Sequence, residues 1–108
     1  MFGMAKIGDQ GHGVCRAGHP DVRKGDPKEM TTEFLTGSSD VFVNGMPTVI
    51  VGGVGHTSCG HFTEAITGSA TVFVNGVPVH RLGDHGVVTD DGGGDYDTVT
   101  ASADVIVG

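Results

Sequence analysis

The stretch "GSSDVFVNGMP", residues 37–47, recurs as "GSATVFVNGVP" at residues 68–78, with eight of the eleven positions identical. In each copy an asparagine, Asn44 or Asn75, is followed directly by a glycine. Asn-Gly favours the two-residue type I′ turn, because that turn requires a positive φ at both of its central residues. The Val-Phe-Val run before each turn is typical of a β-strand. The repeat therefore predicts two equivalent β-hairpins.

A third copy of the repeat is divided between the two ends of the chain. "ADVIVG" at 103–108 resembles the first strand of the repeat and stops where the Asn-Gly turn would come. "KIGDQG" at 6–11 matches "RLGDHG" at 81–86, which follows the second hairpin. We therefore expect residues 104–107 to pair with residues 4–7. Three such hairpins would form a closed ring with pseudo-threefold symmetry, in which each hairpin is stabilised by burying apolar side chains against the others.

The chain is predicted to be a single all-β domain over residues 1–108, because 108 residues are too few for two ordinary domains. Glycine is abundant, with 20 residues, and helix signals are sparse. Only residues 26–35 could form one or two helical turns, with Asp26 as N-cap and Pro27 after it. The glycine-rich segments after the three hairpins are expected to be loops at one end of the ring. These segments are residues 8–15, 52–59 and 83–90.

Charge excludes some partners. The formal net charge is −7 with only six lysines and arginines, so the chain lacks the clustered basic groups that nucleic acids require.

No apolar run is long enough to span a bilayer. The N-terminal residues do not show the charged and apolar regions of a signal peptide, so the protein is expected to be made and kept in a cytosol. The acidic "DDGGGDYD" at 90–97 lacks the spacing of a calcium loop and is predicted to be an acidic turn.

Cysteines and histidines coincide in two of the glycine-rich segments. Aligning "GDQGHGVC" with "GGVGHTSC" matches His12 with His56 and Cys15 with Cys59, and one more histidine follows each cysteine. Thiolate and imidazole ligands both suit tetrahedral zinc, which would stabilise loops that have few apolar contacts of their own. The candidate ligands are Cys15, Cys59, His12, His19, His56 and His61.

Two other interpretations of these residues remain open. Cys15 and Cys59 could form a disulfide in a small β-module, or they could be free thiols beside surface histidines. Catalysis is not expected, because no His-Glu-x-x-His motif is present and Glu64, three residues after His61, is the only nearby glutamate. We therefore do not expect an enzyme.

The combination of two "GS-x-x-VFVNG-x-P" hairpins, a following Gly-Asp and a Cys/His cluster resembles the PAAR-repeat proteins. The resemblance extends over essentially the whole chain. The Pro-Ala-Ala-Arg signature itself is degraded to Pro-Thr-Val-Ile at 47–50 and Pro-Val-His-Arg at 78–81, and only the second copy keeps the arginine. The hairpin pattern that carries the fold is intact.

The resemblance implies a small pointed cone of three hairpins with a metal ion near its apex, zinc in the first instance and iron as an alternative. The base of such a cone caps a trimeric β-helical spike, one chain per trimer, at the tip of a contractile phage tail or of a type VI secretion spike. The short chain is expected to be a bare tip of the phage tail type, located in the virion and in transient contact with the target membrane. The implied ligands are Cys15, His19, Cys59 and His61, with His12 and His56 in reserve. The internal repeat by itself supports His12, Cys15, His56 and Cys59 equally well.

Overall fold

In the computed structural model, which describes residues 2–108, the chain forms twelve short β-strands and no helix within that range. The prediction of an all-β fold is confirmed. Across these residues, no helix has both the length and the apolarity to cross a bilayer. The strands are β1 (Phe2–Gly3), β2 (Gln10–Cys15), β3 (Lys28–Phe34), β4 (Phe42–Val43), β5 (Met46–Pro47), β6 (Val54–Thr57), β7 (Phe62–Ala65), β8 (Phe73–Val74), β9 (Val77–Pro78), β10 (His85–Val88), β11 (Gly94–Thr98) and β12 (Ile106–Val107).

Three of the antiparallel pairs are the predicted hairpins: β4 with β5, β8 with β9, and β1 with β12. The turns adopt the expected left-handed conformation, with φ of 52° at Asn44 and 51° at Asn75, and each is followed by a glycine at 81°. We call the end of the molecule formed by these three pairs the base.

The third pair is made by the chain ends, as predicted, but its register differs from the expectation. Phe2 pairs with Val107 and Gly3 with Ile106, and of residues 4–7 only Met4 extends this pair, through its N–H to the Val105 carbonyl at 2.9 Å. The reason is that Gly3 takes the place that Pro47 and Pro78 have in the other two hairpins. Residues 5–7 instead continue towards the centre of the molecule.

A triangle of backbone hydrogen bonds marks the pseudo-threefold axis. The Ala5 N–H donates to the His80 carbonyl at 3.0 Å, the His80 N–H to the Val49 carbonyl at 2.9 Å, and the Val49 N–H to the Ala5 carbonyl at 2.9 Å. All three residues are completely buried. The molecule measures 39 × 23 × 23 Å, and its two equal short dimensions suit a body built around a threefold axis.

Beyond this triangle the chain forms a closed, six-stranded antiparallel barrel in the order β10-β11-β2-β3-β6-β7. The prediction that residues 8–15, 52–59 and 83–90 are loops is wrong, because β2, β6 and β10 occupy much of these segments. Each of these glycine-rich strands is hydrogen-bonded on both edges, so pairing with neighbours supplies the order that local propensity lacks.

Two further local predictions need correction. Residues 26–35 contain no helical turn; they contain β3, whose alternating burial is typical of a strand with one face inside the barrel. The acidic segment 90–97 forms a turn only over its first residues, and β11 begins at Gly94. In both places the barrel's hydrogen-bonding partners determine the conformation.

The barrel interior is filled by Tyr96, Phe34 and Met30, with small residues around them. Tyr96 is 2% exposed and lies between Gly11 and Gly86, where an added Cβ would come within 2.3 Å and 2.1 Å of its ring. Thr32 and Thr63 occupy the positions that correspond to Tyr96 in the other two repeats, and their hydroxyls form a hydrogen bond of 2.8 Å. The glycines thus leave the space that the interior side chains of a narrow barrel occupy.

His80 combines complete burial with two hydrogen bonds. Its Nδ1 lies 2.7 Å from the Thr67 carbonyl and its Nε2 lies 2.6 Å from the Thr98 hydroxyl. Burial lowers the pKa of His80 below its ordinary value, and the positive charge of Arg81 adds to this effect, whereas the Thr67 carbonyl and Asp84 oppose it. The imidazole is therefore neutral in the folded protein at neutral pH.

This neutral histidine predicts acid sensitivity. The unfolded chain binds a proton near pH 6.5, and folded His80 does so only at lower pH. Stability should hold above pH 6.5 and decrease below it by up to about 1.4 kcal/mol per pH unit. Urea unfolding of the metal-free protein between pH 7.5 and 5 measures this. The His80→Gln variant should lose that slope, and exposed His56→Gln should keep it. An unchanged slope in His80→Gln would assign the effect to another group.

Candidate metal centre

Four of the candidate ligands come together at the end of the barrel opposite the base. We call this end, formed by the connections 16–27, 58–61 and 89–93, the apex. Cys15 ends β2, His19 follows it in the first connection, and Cys59 and His61 lie in the turn between β6 and β7. One potential ligand atom from each of the four lies within 4.8 Å of all the others. This Cys2His2 cluster could hold a metal ion.

The turn between β6 and β7 is built tightly enough to fix two of these side chains. The Thr57 N–H donates to the His61 carbonyl, and the His61 N–H donates back to the Thr57 hydroxyl, both at 2.8 Å. Gly60 adopts a φ of 93°, a left-handed conformation that other residues adopt only with strain. The Thr57 hydroxyl also lies 3.1 Å from the Cys59 sulfur. The turn therefore points Cys59 and His61 towards the same side.

The distances among the ligand atoms suit a tetrahedral ion. His61 Nδ1 lies 3.4 Å from the Cys15 sulfur and 3.7 Å from the Cys59 sulfur. With zinc–sulfur bonds near 2.3 Å and zinc–nitrogen bonds near 2.05 Å, a tetrahedral angle separates sulfur from nitrogen by about 3.6 Å. The two observed distances lie on either side of this value.

His19 supplies a second indication that the cluster is suited to a metal. Both of its ring nitrogens are buried and have no hydrogen-bond partner among the described residues. Its ring meets that of His61 edge-on, with centroids 5.1 Å apart. A buried nitrogen without a partner costs free energy, because it has lost its hydrogen bond to water. Coordination of a metal would remove this cost.

The protonation of the Cys15 thiol would depend on whether a metal is bound. Burial raises the pKa of the Cys15 thiol, and Cys59 and Asp90 raise it further, although a backbone hydrogen bond from Ala17 opposes them. A bound cation would instead lower the pKa of the Cys15 thiol, since a cation stabilises the thiolate directly. Both cysteines are free thiols in the structure. Four protein ligands would leave a tetrahedral ion no position for a reacting water, which is the arrangement of a structural site.

The structure does not bring the reserve ligands to the apex cluster. His12 lies on β2 and His56 on β6, and both side chains are exposed. Because side chains alternate between the two faces of a strand, His12 faces away from the side on which Cys15 is buried. The exact match of these histidines in the repeat therefore reflects two equivalent positions on the outside of the barrel.

One residue beside the cluster was not among the candidates. An Asp90 carboxylate oxygen lies 3.9 Å from His61 Nε2. The sequence did contain a signal for it: Asp90 follows Gly83 at the same interval at which Cys15 follows Gly8 and Cys59 follows Gly52. The third equivalent position thus carries a carboxylate where the other two carry cysteines.

Comparison with known proteins agrees with the fold and the cluster. The family model described as the PAAR motif matches residues 24–93, which are 70 of the 108 residues. The match includes Cys59 and His61, whereas Cys15 and His19 precede it. No curated protein matches the chain. The PAAR motif fits a spike-tip protein of an injection system. With more than half of its length matched, this chain belongs to the PAAR-motif family.

Proposed function

We propose that the protein is the pointed tip of a contractile injection machine of the phage tail type. It would cap and sharpen a trimeric β-helical spike in the tail baseplate and help the spike pierce the envelope of the target cell. In this proposal the protein is assembled in the bacterial cytoplasm and carried at the tip of the virion tail, where it contacts the target membrane transiently. Its role is mechanical.

The observation that carries this proposal is an exposed apolar ring at the base. Each of the three hairpins presents a large apolar side chain at the same position: Phe42, 57% exposed, Phe73, 52% exposed, and Ile106, 40% exposed. The partner strand of each hairpin carries a second apolar residue, one position from the direct partner of the first: respectively Met46, Val77 and Phe2. Apolar groups repeated around a threefold axis on a monomer suit a partner with three identical faces.

Symmetry also favours one tip per spike. The three hairpins belong to one chain, and the triangle of Ala5, Val49 and His80 places them around a single axis. A trimeric spike whose blunt end is formed by three equivalent strands would therefore meet all three hairpins at once. A second tip could not bind the same end of the spike.

At the apex we propose a zinc ion held by Cys15, His19, Cys59 and His61, with iron as the alternative metal. When bound, the metal would cross-link the end of β2, the connection that follows it and the β6–β7 turn, and so stiffen a narrow point that buries few apolar side chains. The proposal is supported by the distances to His61 Nδ1 and by the unpartnered nitrogens of His19.

Docking of the base can be tested with soluble trimeric fragments of β-helical spikes. Phe42→Asp and Phe73→Asp should each weaken binding by roughly 30-fold or more, because a charge would be buried in an apolar contact. Phe62→Asp is the matched control, since this phenylalanine is 48% exposed but lies on the barrel wall near the apex. Analytical ultracentrifugation gives the stoichiometry, for which we expect one chain per trimer.

The choice of spike distinguishes the proposed function from its nearest alternative. Binding to a type VI secretion spike, with no binding to spikes of phage tails, would place the protein in a secretion system. Failure to bind either kind of spike, with the wild-type protein folded, would contradict the tip function altogether. Equal loss of binding in the Phe62→Asp control would contradict docking through the base.

A further inference from the structure

We propose that Asp90 positions His61 for metal binding, by accepting a hydrogen bond from Nε2 so that Nδ1 is the coordinating nitrogen. This inference rests on the proposed apex metal. It assigns a role to a residue of the third apex connection, which supplies none of the four proposed ligands.

The backbone around Asp90 is tied to both ligand-bearing segments. The Thr89 N–H donates to the carbonyl of Phe62, the residue after His61, at 3.0 Å. The Arg16 N–H, directly after Cys15, donates to the Gly93 carbonyl at 2.8 Å. Between these two hydrogen bonds the chain forms a turn, in which the Gly93 N–H donates to the Asp90 carbonyl at 3.0 Å. The position of Asp90 beside the cluster is thus determined by the barrel's own hydrogen bonds.

Pseudo-threefold symmetry explains why an acidic residue occurs at this point. Cys15, Cys59 and Asp90 each lie seven residues after the corresponding glycine of the three repeats, namely Gly8, Gly52 and Gly83. The three segments therefore bring two thiols and one carboxylate to equivalent corners of the apex. Two corners would provide metal ligands directly, and the third provides a hydrogen-bond acceptor.

The two nitrogens of His61 face different neighbours. Nδ1 lies between the sulfurs of Cys15 and Cys59, at 3.4 and 3.7 Å, whereas Nε2 lies 3.9 Å from the Asp90 carboxylate. A neutral imidazole carries its proton on one nitrogen and a lone pair on the other, and the partner of the first decides which nitrogen can coordinate. A carboxylate accepts but does not donate. Asp90 therefore favours the proton on Nε2 and the lone pair on Nδ1.

The Asp90 carboxylate is too far away to be a ligand itself. It does not belong to the group of atoms that lie within 4.8 Å of one another, and the two thiols and two imidazoles already complete a tetrahedron. Its separation from Nε2 is longer than a hydrogen bond. Because the side chain is 37% exposed, it has room to rotate towards His61 when a metal orients the ring. The contact is thus available in the metal-bound protein.

The first test measures zinc affinity by competition with a chromophoric chelator. Asp90→Ala and the isosteric Asp90→Asn should weaken binding, the alanine variant by roughly 10- to 100-fold, which is typical of removing such a partner. Asp91→Ala is the matched control: it removes the same charge one residue further on, from a carboxylate that is 89% exposed and paired with Lys24. The zinc affinity of the Asp91→Ala variant should differ from that of the wild type by less than threefold. Equal affinities for Asp90→Ala and Asp91→Ala would overturn the inference.

A second measurement reports the orientation of His61 directly. Long-range proton–nitrogen NMR spectra of the zinc-loaded wild-type protein should show His61 bound through Nδ1 and protonated at Nε2. Coordination through Nε2 would overturn the inference whatever the affinities. If wild-type protein binds no zinc, the proposed metal site fails; if it binds zinc and Asp90→Ala binds equally well, only the role of Asp90 fails.

Discussion

Removing the apex metal should lower the free energy of unfolding by about 4 kcal/mol when free zinc is at a thousand times its dissociation constant. The reason is that the apex has little else to hold it. The connection 16–27 is mostly exposed, and its contacts to the barrel strands are few, such as the hydrogen bond that Lys28 Nζ on β3 donates to the Asp21 carboxylate at 2.7 Å. Urea unfolding with zinc and with excess chelator measures the difference, and elemental analysis should find one zinc per chain.

Single-ligand variants show whether this stabilisation comes from the cluster. Cys59→Ser should lose the metal and unfold like the chelated wild type, whereas exposed His56→Ala should retain both metal and stability. Thiol titration adds an independent readout: without a reductant, chelation should make Cys59 reactive, and buried Cys15 should react as well once the chelated protein is unfolded in urea. Full zinc content in Cys59→Ser would contradict the proposed ligand set. Thiols that appear only after reduction would favour the disulfide interpretation instead.

The second large effect is expected at Gly86, where an alanine should destabilise the protein by about 3 kcal/mol. The added Cβ would come within 2.1–2.3 Å of two ring carbons and the hydroxyl oxygen of Tyr96. That ring has little room to move aside, because Gly11 lies at its opposite edge and Phe34 packs beside it at 5.8 Å between centroids. Thermal or urea unfolding in the presence of zinc measures the loss.

A double-mutant cycle separates this clash from a general effect of replacing glycine in a strand. Tyr96→Ala alone is destabilising, since it empties the centre of the barrel. In that background Gly86→Ala should cost little or nothing, because the atoms it would strike are absent. Additive effects of the two substitutions would contradict the explanation and would place the strain in the backbone of β10.

The hairpins could be predicted because their signals are local. An Asn-Gly pair after a Val-Phe-Val run is sufficient to form a turn of defined type, and the internal repeat related the termini to the other two hairpins. Comparison of "ADVIVG" with "KIGDQG" alone predicted the wrong register for the terminal pair. The register depends on the path of residues 5–7, which continue to the pseudo-threefold axis, where Ala5 is hydrogen-bonded to Val49 and His80.

The barrel could not be predicted from local patterns. Residues 10–15 and 54–57 are rich in glycine and histidine, which have little strand propensity, and become strands because each is paired on two sides. The same pairing assigned His12 and His56 to the outer surface, which the alignment of the two segments could not show. The repeat spacing places Asp90 at the position equivalent to the two cysteines, but its contact with His61 exists only after β10 pairs with β7.

The sequence by itself determined the all-β class, the three repeated hairpins, the closure of the third by the chain ends and the group of candidate ligands. These follow from turn chemistry, strand periodicity and residue type, which act within a few positions of the chain. Only the tertiary structure decided that the glycine-rich segments are barrel strands and which face each histidine occupies. Those outcomes depend on hydrogen bonds and side-chain contacts between strands distant in sequence, such as the insertion of Tyr96 between Gly11 and Gly86.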